Sequence, residues 1–212
     1  MKVEEYNEYL RKEYEKTKSV ELLEKYIISE TLSPLEDYQN VIRIIRSNYP
    51  ININVHLLYI GAYCISGWLI EERNEMLDIL NDMYLHLSNR DKSIVCFLNA
   101  YQLRFADQKY SHNPKYKEWL LDSIRLNDAV VKSRIYLAAL YPQPMASEIY
   151  AEALARVQKV YEEKEIIEMG VEDFSNIDAF INEHILGTHI STLTLNMITN
   201  RIREYTEPTS LC

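Results

Sequence analysis

Glycine is scarce in this chain: 4 of its 212 residues are glycine and 6 are proline, whereas an average protein carries roughly 7% glycine. Doubly wound and all-β folds use glycine freely in tight turns that need positive φ, so the scarcity argues against both and for helical hairpins. Cysteine is scarce too. Cys64, Cys96 and Cys212 form no CxxC pair. Cys64 and Cys96 sit in apolar helical runs and read as small core residues, and an odd count without metal spacing fits a reducing compartment. No run of about 18 apolar residues is long enough to span a bilayer. The N-terminal stretch MKVEEYNEYLRKEYEK is charged throughout, which predicts no signal peptide. We therefore expect a cytoplasmic protein with no membrane partner.

Positive charge is also in deficit. Lys and Arg number 23 against 32 Asp and Glu, for a formal net charge of −9. That balance disfavours nucleic acid and anionic lipid, which both reward cations. It suits a solvated surface or a basic protein partner. Catalytic signatures are missing as well: there is no GxGxxG, phosphate loop, HExxH or GxSxG. His184 and His189 are five apart and do not share a helix face as a pair four apart would. Glu183 adjoins His184, but no partner motif completes a metal site. The sequence predicts no catalytic residues, no metal and no cofactor.

What is present is helix. Hydrophobic residues make up 47% and charged residues 26% of the chain, ordinary globular proportions for a length that can bury a sizeable core. Tyrosine, at 17 residues against 4 Phe and 2 Trp, buries its ring while keeping its hydroxyl wet, as partly covered helices require. Apolar residues recur at three and four. The spacing predicts helices over about 3–16, 19–31, 35–49, 54–70, 73–87, 91–105, 128–141 and 144–169, and another from Pro114 through Ile124. After Gly170 it predicts one long helix or two broken near Gly187. Ser33-Pro34-Leu35-Glu36 reads as a capping box, and Asn113-Pro114 as a cap followed by a first-turn proline.

Small residues recur at one point in the first helix of three successive pairs: Gly61 in LLYIGAYC, Ala100 in CFLNAYQL and Ala138 in IYLAALYP. They lie about 38 residues apart, the mark of hairpins that each bury a face on the next. On these residues the chain resembles a degenerate tetratricopeptide-type helical repeat array over roughly 54–163 and, more weakly, 19–49. It departs from that family in its longer period and in the replaced tryptophan and tyrosine positions. The expected fold is all-α: stacked antiparallel hairpins in a superhelix of about 9–11 helices. The expected organisation is one domain, with N-terminal helices over 1–50, three repeat-like hairpins over 51–169 and capping helices over 170–212.

Two features point to binding. Phe97, Tyr101 and Arg104, at i, i+4 and i+7, share a stripe. In repeat proteins resembling this one, the corresponding surface lines a groove for peptides, and aromatics and Arg are common interface anchors; Phe97 and Tyr101 read equally well as packing on a neighbouring helix. The second is an acidic run of Glu162, Glu163, Glu165, Glu168, Glu172 and Asp173, which suits a basic partner or a solvated helix end. The expected function is non-catalytic binding of a protein or peptide, as an adaptor, a chaperone-like binder or an immunity-type inhibitor of a basic toxin. The alternative is an α-helical enzyme or small-ligand protein with a site buried between hairpins, near His184 and Glu183. Apolar terminal faces also leave room for a homodimer.

Overall fold

The computed structural model describes residues 3–31, 38–48, 55–64, 70–168 and 176–206. The capping box at 33–36, Ser175 and the tail from 207 lie outside them. The chain is all-α, packed as two compact units. One comprises Met1–His86 with Glu168–Ile181, the other Leu87–Ile167 with Asn182–Cys212. Among the described residues no helix is long and apolar enough to cross a membrane.

In the first unit, α1 (Val3–Thr17), α2 (Val20–Thr31), α3 (Tyr38–Asn48), α4 (Val55–Cys64) and α5 (Ile70–Met83) each pack on the next. Tyr6 and Leu10 of α1 meet Tyr26 of α2, with Leu22 and Ile44 closing the cluster. Their spacing makes one apolar stripe per helix, and burying each large side chain contributes about 1.5–3 kcal/mol. The buried hydroxyl of Ser29 donates to Asn7, and the Tyr14 hydroxyl donates to Asn48 Oδ1 at 2.5 Å. These four polar side chains caught between the helices are thus paired.

In the second unit, α6 (Asn89–Ala106) pairs with α7 (Pro114–Leu126), and α8 (Val131–Ala138) with α9 (Met145–Leu154). Caps set the starts. Ser88 Oγ accepts from the Asp91 amide at 3.2 Å, and Asn113 Oδ1 accepts from the Lys115 amide at 3.1 Å with Pro114 in the first turn. Ser93 through Ala100 are all buried, so the middle of α6 is covered on every face.

Two helices are shorter than the periodicity predicts. The expected helix over 128–141 begins only at Val131, because the Asn127 side chain accepts from the Ala129 amide at 2.9 Å and holds a turn there. The expected helix over 144–169 ends at Leu154, and Lys159–Tyr161 forms strand β1. β1 pairs in parallel with β2 (His189–Ser191) in the register Lys159–His189, Val160–Ile190 and Tyr161–Ser191. Val160 and Tyr161 favour a pleated backbone, and the Thr188 carbonyl accepts from the amides of Gln158 at 2.8 Å and Lys159 at 3.2 Å. The helix α10 (Glu163–Glu168) follows β1. The C-terminal stretch breaks near Gly187, the second of the two alternatives. Asn176 caps α11 (Ile177–Phe180), a π-helical turn spans Ile181–Leu186, and α12 (Thr192–Thr206) follows β2. These short pieces bring the α-helical segments among the described residues to 12.

Candidate functional site

A cavity of about 540 Å³ opens in the second unit. One wall is the face of α8 and the turn after it: Lys132, Ile135, Tyr136, Ala139 and Leu140. The i, i+3, i+4, i+7, i+8 spacing puts all five on a single stripe. The opposing stripe comes from α12, where Thr194, Met197, Ile198 and Arg201 recur at i, i+3, i+4 and i+7. Arg104 enters from the last turn of α6, Tyr110 from the 3-10 turn after it, Tyr116 from α7 and Tyr150 from α9. Ile135, Ala139, Leu140, Met197 and Ile198 supply the apolar part of the lining, and three cations stand in it with no lining carboxylate among the described residues.

Arg104 is held by rings. Its guanidinium carbon lies 4.3 Å from the Tyr136 centroid and 5.6 Å from that of Tyr110. Such contacts contribute about 0.5–2 kcal/mol and hold a planar cation in place without neutralising it. Tyr136 in turn stacks on Tyr101 at 6.4 Å and lies 5.8 Å from Phe97. Burial raises the hydroxyl pKa of both Tyr116 and Tyr136, opposed by the nearby charge of Arg104. Both phenols are therefore neutral donors at neutral pH.

Lys132 is positioned by the loop opposite. Its ammonium donates to the main-chain carbonyl of His184, and its stem crosses Gly187. Burial lowers its pKa to about 8, with Glu183 opposing the shift. Burial also lowers the His184 pKa to about 4, reinforced by the charge of Lys132. The Glu183 carboxyl is raised by burial, with Lys132 pulling the other way. Glu183 and His184 thus sit beside Lys132 but do not line the cavity. No group of three or more His, Cys, Asp or Glu among the described residues is placed to hold a metal ion.

Of the stripe at Phe97, Tyr101 and Arg104, only Arg104 reaches the cleft. Phe97 is 0% exposed, so it packs as core beneath Tyr136, and Tyr101, half-buried, stacks beside it at 5.9 Å. The acidic run is divided. Glu162 and Glu163 are exposed, and Glu165 Oε2 accepts from the Glu162 amide at 2.8 Å, which ties it to the start of α10. Glu172 and Asp173, and the side chain of Glu168, lie outside the described residues.

Lys132, Tyr136 and Arg201 are cleft residues that sequence reasoning misses. Their signal is present as periodicity, in the Lys132–Tyr136–Ala139 and Thr194–Ile198–Arg201 spacings. Each resembles an ordinary amphipathic face, and nothing local says that the two faces meet.

Compared with protein-family models, curated proteins and solved structures, the chain has no match.

Proposed function

We propose that this chain is a non-catalytic binding protein that holds a segment of a protein or peptide partner in the cleft between α8 and α12 of its second unit. The observation that carries this reading is the make-up of the cleft: apolar side chains together with Arg104, Lys132 and Arg201, and no lining carboxylate among the described residues. Arg and Tyr are among the side chains that most often anchor interfaces: Tyr presents large area with few rotamers to lose, and Arg a planar fork of donors. Met197 is 58% exposed at the rim and Leu193, on the same helix, is 72% exposed, surface that a partner would cover. On this reading the consecutive hairpins form a tetratricopeptide-like array, whose grooves hold extended segments. The cleft favours an acidic segment. The exposed Glu162 and Glu163 favour a basic one, and they offer no enclosed site.

A second reading is supported by the volume. About 540 Å³ falls in the range of small-molecule sites, so a small anionic ligand is the alternative occupant. Capture from native-host lysate tests the main reading. The unaltered protein is expected to retain a partner that the Arg104→Glu, Arg201→Glu variant loses. Equal capture by both proteins, or none above background, would remove the cleft from the function.

A further inference from the structure

In a chain of net charge −9, cations normally find carboxylates. Arg11, Arg46, Arg125, Arg134 and Arg156 each do so within 4 Å. Arg104 is half-buried, and among the described residues it is in no ion pair. What surrounds it is phenol. Its guanidinium lies over the rings of Tyr136 and Tyr110. Burial would lower its pKa, yet the phenols of Tyr136, Tyr116 and Tyr110 beside it raise the pKa on balance. A cation drawn partly out of water without a counter-ion costs free energy, and ring faces offset only part of that. An anion that reaches Arg104 offsets the rest.

Neither of the other lining cations shares this setting. The Lys132 ammonium already donates to the His184 carbonyl and stands beside Glu183, and Arg201 is exposed to water. The anion therefore meets one guanidinium. A single fork matches a single carboxylate through two parallel N–H···O bonds, whereas a doubly charged group would keep a charge unmatched. Arg104 is already oriented by the Tyr136 ring at 4.3 Å, so it loses little rotamer freedom on binding. Tyr116, kept neutral by burial, supplies an O–H donor in the same lining.

The rest of the cavity bears on the body that carries the carboxylate. Tyr116, Tyr150 and Ile198 are buried and yet line it, so it runs below the surface. Ile135 packs with Tyr150 and Ile198 in one cluster. A peptide backbone pushed against that wall would strip water from amides and carbonyls that its carbon atoms cannot bond. An aliphatic chain has no such groups and gains by burial.

Granted the second reading above, that the cavity holds a small anionic ligand, we propose that this ligand is a free monocarboxylic acid with an aliphatic chain. Arg104 holds the carboxylate, Tyr116 donates its hydroxyl to it, and Ile135, Tyr150 and Ile198 lie against the chain.

Isothermal titration at neutral pH and low salt tests this with octanoate, octanamide, acetate and octyl phosphate. Octanoate is expected to bind about tenfold or more tightly than octanamide, which lacks the charge, and than acetate, which lacks the chain. Octyl phosphate should bind no more tightly than octanoate. Arg104→Gln is expected to weaken octanoate about tenfold or more. Ala139→Glu keeps the test decisive should that variant fail to fold. Ala139 is exposed, lines the cavity and lies one turn on from Tyr136, so the new carboxylate competes for Arg104 and should weaken octanoate with the helical circular dichroism unchanged. Octanamide or acetate binding as well as octanoate, or affinity untouched by both substitutions, would overturn the proposal. Octyl phosphate bound about tenfold more tightly would overturn the carboxylate and leave the small-anion reading standing. No probe bound at about 10 mM would overturn both, and a partner captured through Arg104 would then leave the protein-segment reading in place. Octanoate bound through Arg104, with no partner captured, would uphold the proposal and displace that reading.

Discussion

Gly187 and Lys132 are fitted to each other. A Cβ on Gly187 would lie 2.9 Å from Lys132 Cγ, and the glycine backbone has φ +73°, in the left-handed region. The lysine stem occupies the space that any other residue at 187 would fill, and the same loop offers its ammonium the His184 carbonyl. The turn thereby positions a cleft cation.

Gly187→Ala is accordingly expected to destabilise the protein by about 2 kcal/mol, roughly 1 kcal/mol from the positive φ and the rest from crowding. Urea unfolding measures it. In a Lys132→Ala background the crowding part disappears and the loss should shrink toward about 1 kcal/mol. Losses that simply add would show that the contact does not constrain the loop.

Stability should fall on mild acidification because of His184. Burial holds its pKa at about 4, against 6.5 for the ordinary group. Between those values the unfolded chain binds the extra proton, so stability declines as pH drops from about 6.5 to about 4 and levels off below. Glu183, raised by burial, favours the folded state in the opposite direction, losing stability as pH rises above its ordinary value. A His184→Gln variant isolates the histidine. Its loss of stability between pH 7 and pH 5 should be smaller than the parent's by about 2 kcal/mol, and equal losses would mean that His184 is not held neutral by the fold.

Three buried serines tie α6, α7 and α8 together. The Ser93 hydroxyl donates to the Ser123 carbonyl at 2.7 Å, and the hydroxyls of Ser123 and Ser133 share a bond of 2.7 Å. All three residues are fully buried. Ser123→Ala leaves the Ser133 hydroxyl without this partner and is expected to cost about 1–2 kcal/mol. Ser123→Val adds overpacking and should cost more. Thermal unfolding of the two variants checks the order.

Gly61 admits a methyl group and little else. Its built Cβ would lie 3.0 Å from Ile45 Cδ1 and 3.4 Å from Met76 Cγ, both on side chains able to shift. Gly61→Ala gains about 1 kcal/mol of helix propensity against that crowding and should fall within about 0.5 kcal/mol of the parent in urea unfolding. Gly61→Leu should cost about 2 kcal/mol or more by displacing both neighbours. A large gain for Gly61→Ala would show that the close approach is unimportant.

The residues alone determined what is local. Helical hydrogen bonds close within four positions, so 3.6-residue periodicity, few glycines and caps such as Asn113 before Pro114 were enough to specify an all-α chain and its consecutive hairpins. Small side chains at Gly61, Ala100 and Ala138 announced buried helix contacts, and all three positions are buried. Tertiary structure decided what depends on distant partners. Lys159–Tyr161 reads as helix until Thr188 and His189–Ser191 arrive to accept and donate its ladder bonds. Phe97 reads equally as a groove anchor or a packed residue until α8 covers it with Tyr136. The cleft is the clearest case. Arg104, Lys132 and Arg201 stand on three helices, and a composition this acidic gave no sign that the fold would collect them around one cavity. Charge proximity is set by packing, because hydrophobic burial chooses which helix faces meet and the cations travel with those faces.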